Sequence, residues 1–221
     1  MADFDPGAGL GPRLRLVRAD RQLSVRELAR RVGCSASLIS QIERGVSVPS
    51  VGVLYSLATE LGSSLDYLLF GPGAGREGDA GAGSSSAPAV AAGSERAAGG
   101  TASPPPPIVQ RRGGRKIIDL ASGVRWERLT PAADATADFL EVIYAPGGHS
   151  TDERRPLRHE GREYGVIISG TLQANVGFES YELGPGDSIA FDSSTPHEYL
   201  NKTGDYVRAI WVVVHAGPDF T

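Results

Sequence analysis

Apolar residues recur at helical spacing from residue 13 to residue 70, lose all period from 71 to 107, and alternate with period two from Arg115 onward. The first stretch predicts five helices. Arg13–Asp20 turns Leu14 and Val17 inward, Ser24–Val32 buries Leu28, Ala29 and Val32, and Ser35–Arg44 buries Leu38, Ile39 and Ile42. A fourth helix follows Pro49-Ser50, with Val53, Leu54, Leu57, Ala58 and Leu61 apolar, and Gly62 stops it. Ser64 opens a fifth, LDYLLF, ended by Gly71-Pro72. The last stretch predicts nine short strands, at 116–120, 124–129, 138–145, 163–170, 171–178, 180–183, 187–191, 197–201 and 206–214. Turn signals such as Pro146-Gly147-Gly148, Gly184-Pro185-Gly186-Asp187 and Thr203-Gly204-Asp205 separate some of them. Many short strands at this spacing predict a sandwich or barrel.

The segment between the two patterns is rich in Gly, Ala, Ser and Pro and has nothing with which to build a core. It predicts a disordered linker with a root-mean-square span of roughly 35 Å, close to the separation of DNA half-sites one turn apart. The expected division is therefore a disordered N-terminus over 1–10, a helical domain over 11–70, a linker over 71–112 and a β domain over 113–221.

The local chemistry is densest from Ser24 to Gly45. Ser24 and Glu27 have the S-x-x-E spacing of a capping box, and Ser35 stands ready to cap the next helix. Gly33 lies where the chain turns with positive φ between them. Ala29 is small where two helices would cross closely. On the outer face of the second helix remain Ala36, Ser37, Ser40, Gln41 and Arg44, which are small or hydrogen-bonding. Such a face suits a helix lying in the major groove of DNA. The bland reading is a helical pair inside some other all-α domain.

Charge sharpens the picture. The net charge of −4 hides an N-terminal excess: residues 13–44 carry eight Arg against Asp20, Glu27 and Glu43, or +5. Residues 116–221 carry nine Lys or Arg against sixteen Asp or Glu, or −7. A basic patch on an acidic chain points to a local anionic partner. All four histidines (His149, His159, His197 and His215) lie in the acidic half, so imidazole chemistry belongs there. Cys34 is the only cysteine, which rules out an intrachain disulfide and fits the cytoplasm. No apolar run is long enough to span a membrane, and the N-terminus lacks the basic and apolar regions of a secretory signal.

The motifs L-S-V-R-E-L-A at 23–29, S-x-S-L-I-S-Q-I-E-R-G at 35–45, P-S at 49–50, L-x-x-L-A-x-x-L-G at 54–62 and S-L-D-Y-L-L at 64–69 resemble the lambda-repressor-like, xenobiotic-response-element-type helix-turn-helix family. The resemblance covers residues 11–70 and implies a dimeric DNA binder. By matching positions it implies that Ala36, Ser37, Ser40 and Gln41 face bases and that Ser24, Arg26, Ser35 and Arg44 lie near phosphates. It also implies an ion pair between Arg18 and Glu43 inside the bundle.

In the β half, HEGREYGVIISG from His159 and GDSIAFDSSTPHEYLN from Gly186 resemble the two motifs of the cupins. The resemblance covers about residues 110–216. It implies a fold of two parts, an all-α five-helix helix-turn-helix bundle and an all-β cupin (double-stranded β-helix) barrel. It implies a metal site too, but Leu157 stands where the family usually has a further histidine. His159, Glu163 and His197 remain, enough to cap one face of a divalent ion such as Fe, Ni or Zn. Three readings compete for this triad: a metal site, a metal-free polar pocket for a small acid or amide, and satisfied structural residues of the barrel. The candidate effector contacts are His159, Glu163, His197 and Asn201. His149 is expected at a pocket edge or loop, and His215 at the surface.

A repressor-type head joined to a cupin resembles a class of one-component regulators. It implies a sequence-specific transcriptional regulator, a homodimer binding double-stranded operator DNA, with the cupin sensing a small-molecule or metal effector. The rival is an enzyme. Hydroxypropylphosphonate epoxidase, a mononuclear non-haem iron enzyme, has the same domain order and a His-x-x-x-Glu…His triad. A third reading is a metabolite-binding cupin without DNA binding. The polar outer face at 36–44 would be idle in either, which favours the regulator.

Overall fold

The computed structural model describes residues 9–71, 108–134, 136–151 and 156–215. Residues 1–8 of the expected N-terminal tail and 72–107 of the expected linker lie outside them. Five helices come first: α1 (Leu10–Asp20), α2 (Val25–Val32), α3 (Ala36–Glu43), α4 (Val51–Leu61) and α5 (Leu65–Phe70). Ordered helix thus begins at Leu10, a residue assigned to the tail, because its side chain is buried in the bundle. A single 3-10 turn, Arg112–Gly114, precedes the strands.

Local rules account for the helix ends. Ser24, Ser35, Ser50 and Ser64 each accept a hydrogen bond from the backbone N–H three residues on, at Glu27, Leu38, Val53 and Tyr67. Gly33 ends α2 at φ 76° and starts the turn into α3. The capping box is only half made. The Glu27 carboxylate does not return to the start of the helix but takes Arg30 and Arg31 at 2.7 and 2.8 Å. Two guanidiniums one turn ahead out-compete a backbone N–H that water already solvates. Leu14, Leu28, Ile39, Leu54, Leu57 and Leu68 are fully enclosed, each contributing about 1.5–3 kcal/mol of burial. Arg18 and Glu43 pair across the bundle, with Nη2 and Oε2 3.0 Å apart.

Nine strands follow: β1 (Ile117–Leu120), β2 (Val124–Arg128), β3 (Ala137–Tyr144), β4 (Arg162–Ser169), β5 (Leu172–Val176), β6 (Glu179–Leu183), β7 (Ser188–Asp192), β8 (His197–Leu200) and β9 (Val207–Val214). They form a six-stranded sheet in the order β1-β2-β3-β9-β4-β7 and a three-stranded sheet in the order β6-β5-β8, with every pair antiparallel. Burial alternates without a break along β9, where Val207, Ala209, Trp211 and Val213 point inward. The interior between the sheets is the barrel core. The fold is the expected one, a five-helix bundle and a cupin-like β domain.

The bundle sits against the barrel. The Gly52 N–H donates to the Ser150 carbonyl and the Ala121 N–H to the Pro49 carbonyl, both at 3.2 Å. Arg128 on β2 donates from Nη1 to both oxygens of Asp66 on α5, at 2.7 and 2.9 Å, and all of this pair is buried. The Arg128 guanidinium also lies 5.1 Å from the centre of the Phe70 ring.

Candidate functional site

Two sites emerge, one on each part. On the bundle, α3 is held from beneath by Ile39 and Ile42 and turns its other side out. Ser24, Arg26, Ser35, Ser37 and Arg44 are exposed, while Ala36, Ser40 and Gln41 are half-buried at the helix margin. Ser37 and Gln41 lie one turn apart, with Gln41 Nε2 3.5 Å from Ser37 Oγ. Arg44 donates from Nε to the Ser40 carbonyl at 3.1 Å, which folds it back over the end of α3. The residues assigned to bases thus form one continuous strip, flanked at the two helix starts by those assigned to phosphates.

In the barrel, the structure brings His159, Glu163 and His197 together. Glu163 comes from β4 and His197 from β8, so the large and small sheets each contribute. His159 reaches them because the chain bends at Gly161. There φ is +108°, and a Cβ would stand 2.1 Å from the Val214 carbonyl oxygen, so only glycine fits. His159 Nε2 lies 2.7 Å from Glu163 Oε1. His197 Nε2 lies 3.0 Å from the same oxygen, but off the line a hydrogen bond requires, and it has no hydrogen-bond partner although buried.

The other carboxylate oxygen is fully engaged. Oε2 accepts from the Tyr199 hydroxyl at 2.7 Å and from Trp211 Nε1 at 2.6 Å. Gly165, opposite Trp211 across β4 and β9, leaves the space for that indole; a Cβ would meet its ring at 2.5 Å. These two donors fix the carboxylate plane and leave Oε1 to the imidazoles. Burial alone would raise the Glu163 carboxyl, but the two imidazoles outweigh it and hold it well below the usual carboxylate range.

The donor set fits a divalent cation. His197 Nδ1 donates to the Thr195 carbonyl at 2.8 Å, which turns Nε2 toward Glu163. The three side chains each offer one ligand atom, and these atoms lie within 4.8 Å of one another. Imidazole and carboxylate together suit Fe, Ni or Zn.

The remaining assignments fare differently. Asn201 is buried and spends every polar atom on its own turn and on the end of β3. Nδ2 donates to the carbonyls of Tyr144, Ala145 and Asp205 at 3.2, 3.0 and 2.7 Å, and Oδ1 accepts from the Thr203 N–H and hydroxyl. It has no atom left for a ligand, so its assignment as an effector contact is corrected to a structural clamp. His215 is not a free surface residue but pairs with buried Asp138 at 2.8 Å, which raises its imidazole above the ordinary value against the opposing effect of burial. His149 does lie at a pocket edge. It lines a cavity of about 690 Å³ between bundle and barrel, with Cys34, Ser56 and Arg158.

Comparison with known proteins agrees with this division. A helix-turn-helix family model matches residues 14–68 and a cupin-domain model matches residues 140–213. The chain is 25% identical over 208 residues to the HTH-type transcriptional regulator PuuR of Escherichia coli, covering 93% of this chain and 95% of that protein. The crystal structure of an HTH_3 family transcriptional regulator from Vibrio cholerae is 20% identical, covers 97% of this chain and all of that one, and superposes with a TM-score of 0.64, which speaks for the fold. Hydroxypropylphosphonic acid epoxidase from S. wedmorenis superposes with a TM-score of only 0.42 at 18% identity over 95% of this chain, too loosely to bear on function. The chain thus carries a matched helix-turn-helix domain and a matched cupin domain, and it is similar along almost its whole length to a transcriptional regulator.

Proposed function

We propose that the chain acts as a cytoplasmic homodimer that binds operator DNA through α3 and adjusts that binding to a small-molecule or metal effector held in the cupin. Ala36, Ser37, Ser40 and Gln41 meet base edges. Ser24, Arg26, Ser35 and Arg44 meet phosphates, with the start of α3 aimed into the major groove. The observation that carries this reading is the open outer face of α3, small and polar on a basic head whose apolar residues are turned away from it. Footprinting of the full chain on the DNA upstream of its own gene tests it. The expected result is a protected two-fold site that survives competitor DNA. Protection no better than on random DNA overturns it.

For the effector, the unpartnered His197 Nε2 facing Oε1 favours a metal over a purely hydrogen-bonding pocket. His159, Glu163 and His197 would hold the ion, leaving positions open for a ligand, while Tyr199 and Trp211 orient the carboxylate. Titration of Fe(II), Ni(II) and Zn(II) into the wild type and His159→Ala separates the readings. One ion per chain in the wild type and none in the variant supports the metal. Binding should also fade as pH falls through the imidazole range, since a protonated ring has no lone pair to give. No uptake by the wild type, with a small carboxylate or amide still shifting operator affinity, leaves the triad a polar pocket.

A further inference from the structure

The DNA-binding head closes the barrel interior beside the cupin triad, while His159 also edges an open pocket of about 370 Å³ between α4 and the barrel. Helix α4 is apolar on more than one side. Leu54, Leu57, Ala58 and Leu61 fill the bundle, while Val51 and Tyr55, one turn apart, line the barrel interior together with Glu163, Tyr199 and Trp211. The Tyr55 ring lies flat on the His159 imidazole, with centroids 4.3 Å apart and planes 6° from parallel, and meets Trp126 edge-on at 5.9 Å. The space left inside is about 20 Å³, enough for about one water. An organic effector occupies a cavity of roughly 300–1,000 Å³. The seated head and a filled barrel are therefore alternatives.

We propose that α4 of the helix-turn-helix domain is the stopper of the barrel interior, and that an organic ligand enters beside Glu163 and His197 only as Val51 and Tyr55 withdraw. This rests on the reading of the cupin as a sensor and specifies how its occupancy reaches the head: the ligand competes with the head for the barrel mouth. The head is seated by the Gly52–Ser150 and Pro49–Ala121 backbone hydrogen bonds and the Asp66–Arg128 pair, with Gly52 lying beside Leu157. A Cβ at Gly52 would stand 3.3 Å from Leu157 Cδ2, a gap that a methyl group can fill with a small shift of Leu157 but a leucine cannot, so Gly52→Leu props the helix away from the barrel. By linkage, whatever free energy the ligand gains from the barrel in the unseated state is the free energy by which it shifts the head.

The test needs no known effector. Diethyl pyrocarbonate modifies accessible imidazoles, and mass spectrometry of the full chain gives the rate at each histidine. In the wild type, His197 should react more than tenfold more slowly than in Gly52→Leu, which moves the head while leaving Tyr55 in place. Tyr55→Ala, which opens the barrel interior, should speed His197 in the same way. If His197 reacts as fast in the wild type as in Gly52→Leu, the head does not close the barrel and the proposal is overturned. A folded-state circular dichroism spectrum for each variant excludes trivial exposure by unfolding. Adding Zn(II) to Gly52→Leu tests the underlying reading separately. Protection of the histidines by Zn(II) supports a metal-binding barrel, and its absence removes that reading while the closure result stands on its own.

Discussion

Single residues carry the recognition and titration behaviour. Gln41 can bridge N6 and N7 of an adenine, so Gln41→Ala should cost about 1–3 kcal/mol on the preferred operator and nothing on random DNA. Arg44→Ala should weaken both equally and reduce the salt slope by about one unit. Binding titrations across salt concentrations check both. His215 makes a different prediction. Its partner Asp138 raises the imidazole above its ordinary 6.5. A raised value in the fold means stability that is fully present below the unfolded value and is lost as pH rises through the folded one. The wild type should exceed His215→Gln in melting temperature by more at about pH 5.5 than at about pH 8.5. At this scale the grouping of His159, Glu163 and His197 was legible, because all three stand in the two stretches that resemble the cupin motifs. Tyr199 and Trp211 were not. In alternating strands they look like ordinary core aromatics, and only the registers that set Trp211 against Gly165 and seat Tyr199 on β8 turn their polar atoms toward Glu163. Asn201 was misread for the opposite reason: a polar residue at a motif position resembles a ligand contact until its turn is seen to use all of it.

At the scale of elements, caps and periods were enough to place all five helices and all nine strands, since serine caps and period-two alternation are local. What local pattern could not show is which faces meet. Tyr55 sits in an apolar helix and reads as one more core residue of the bundle, yet its ring belongs to the barrel. Asp66 and Arg128, 62 residues apart, are both polar and unremarkable in sequence, and their burial comes only from the packing of α5 on β2. Removing one partner leaves the other charged and enclosed, so Asp66→Ala should destabilise the full chain by about 3–5 kcal/mol. The double change Asp66→Leu with Arg128→Met should recover most of that loss. Denaturant unfolding of the three variants decides it, and a single change that costs as little as the double would show that the pair is not desolvated as a unit.

At the scale of the whole molecule, head and barrel are joined both by chain and by surface. Composition makes 71–112 the expected first site of proteolysis. Because the two parts also share backbone hydrogen bonds and a buried ion pair, the cut halves should co-elute on size exclusion, and Gly52→Leu should let them part. Separate elution of the wild-type halves would mean that the surface holds only while the chain is intact. Leu157 ties the two parts together: the cupin resemblance sets it where a further histidine is usual, and its side chain lies beside Gly52 of the head. Leu157→His should tighten the metal while loosening the seat. If the triad holds a metal as proposed, one codon bears on both its affinity and the docking of the head, and exchange there would move a protein of this design between a tightly metallated cupin with a loose head and a weakly metallated one whose head is held.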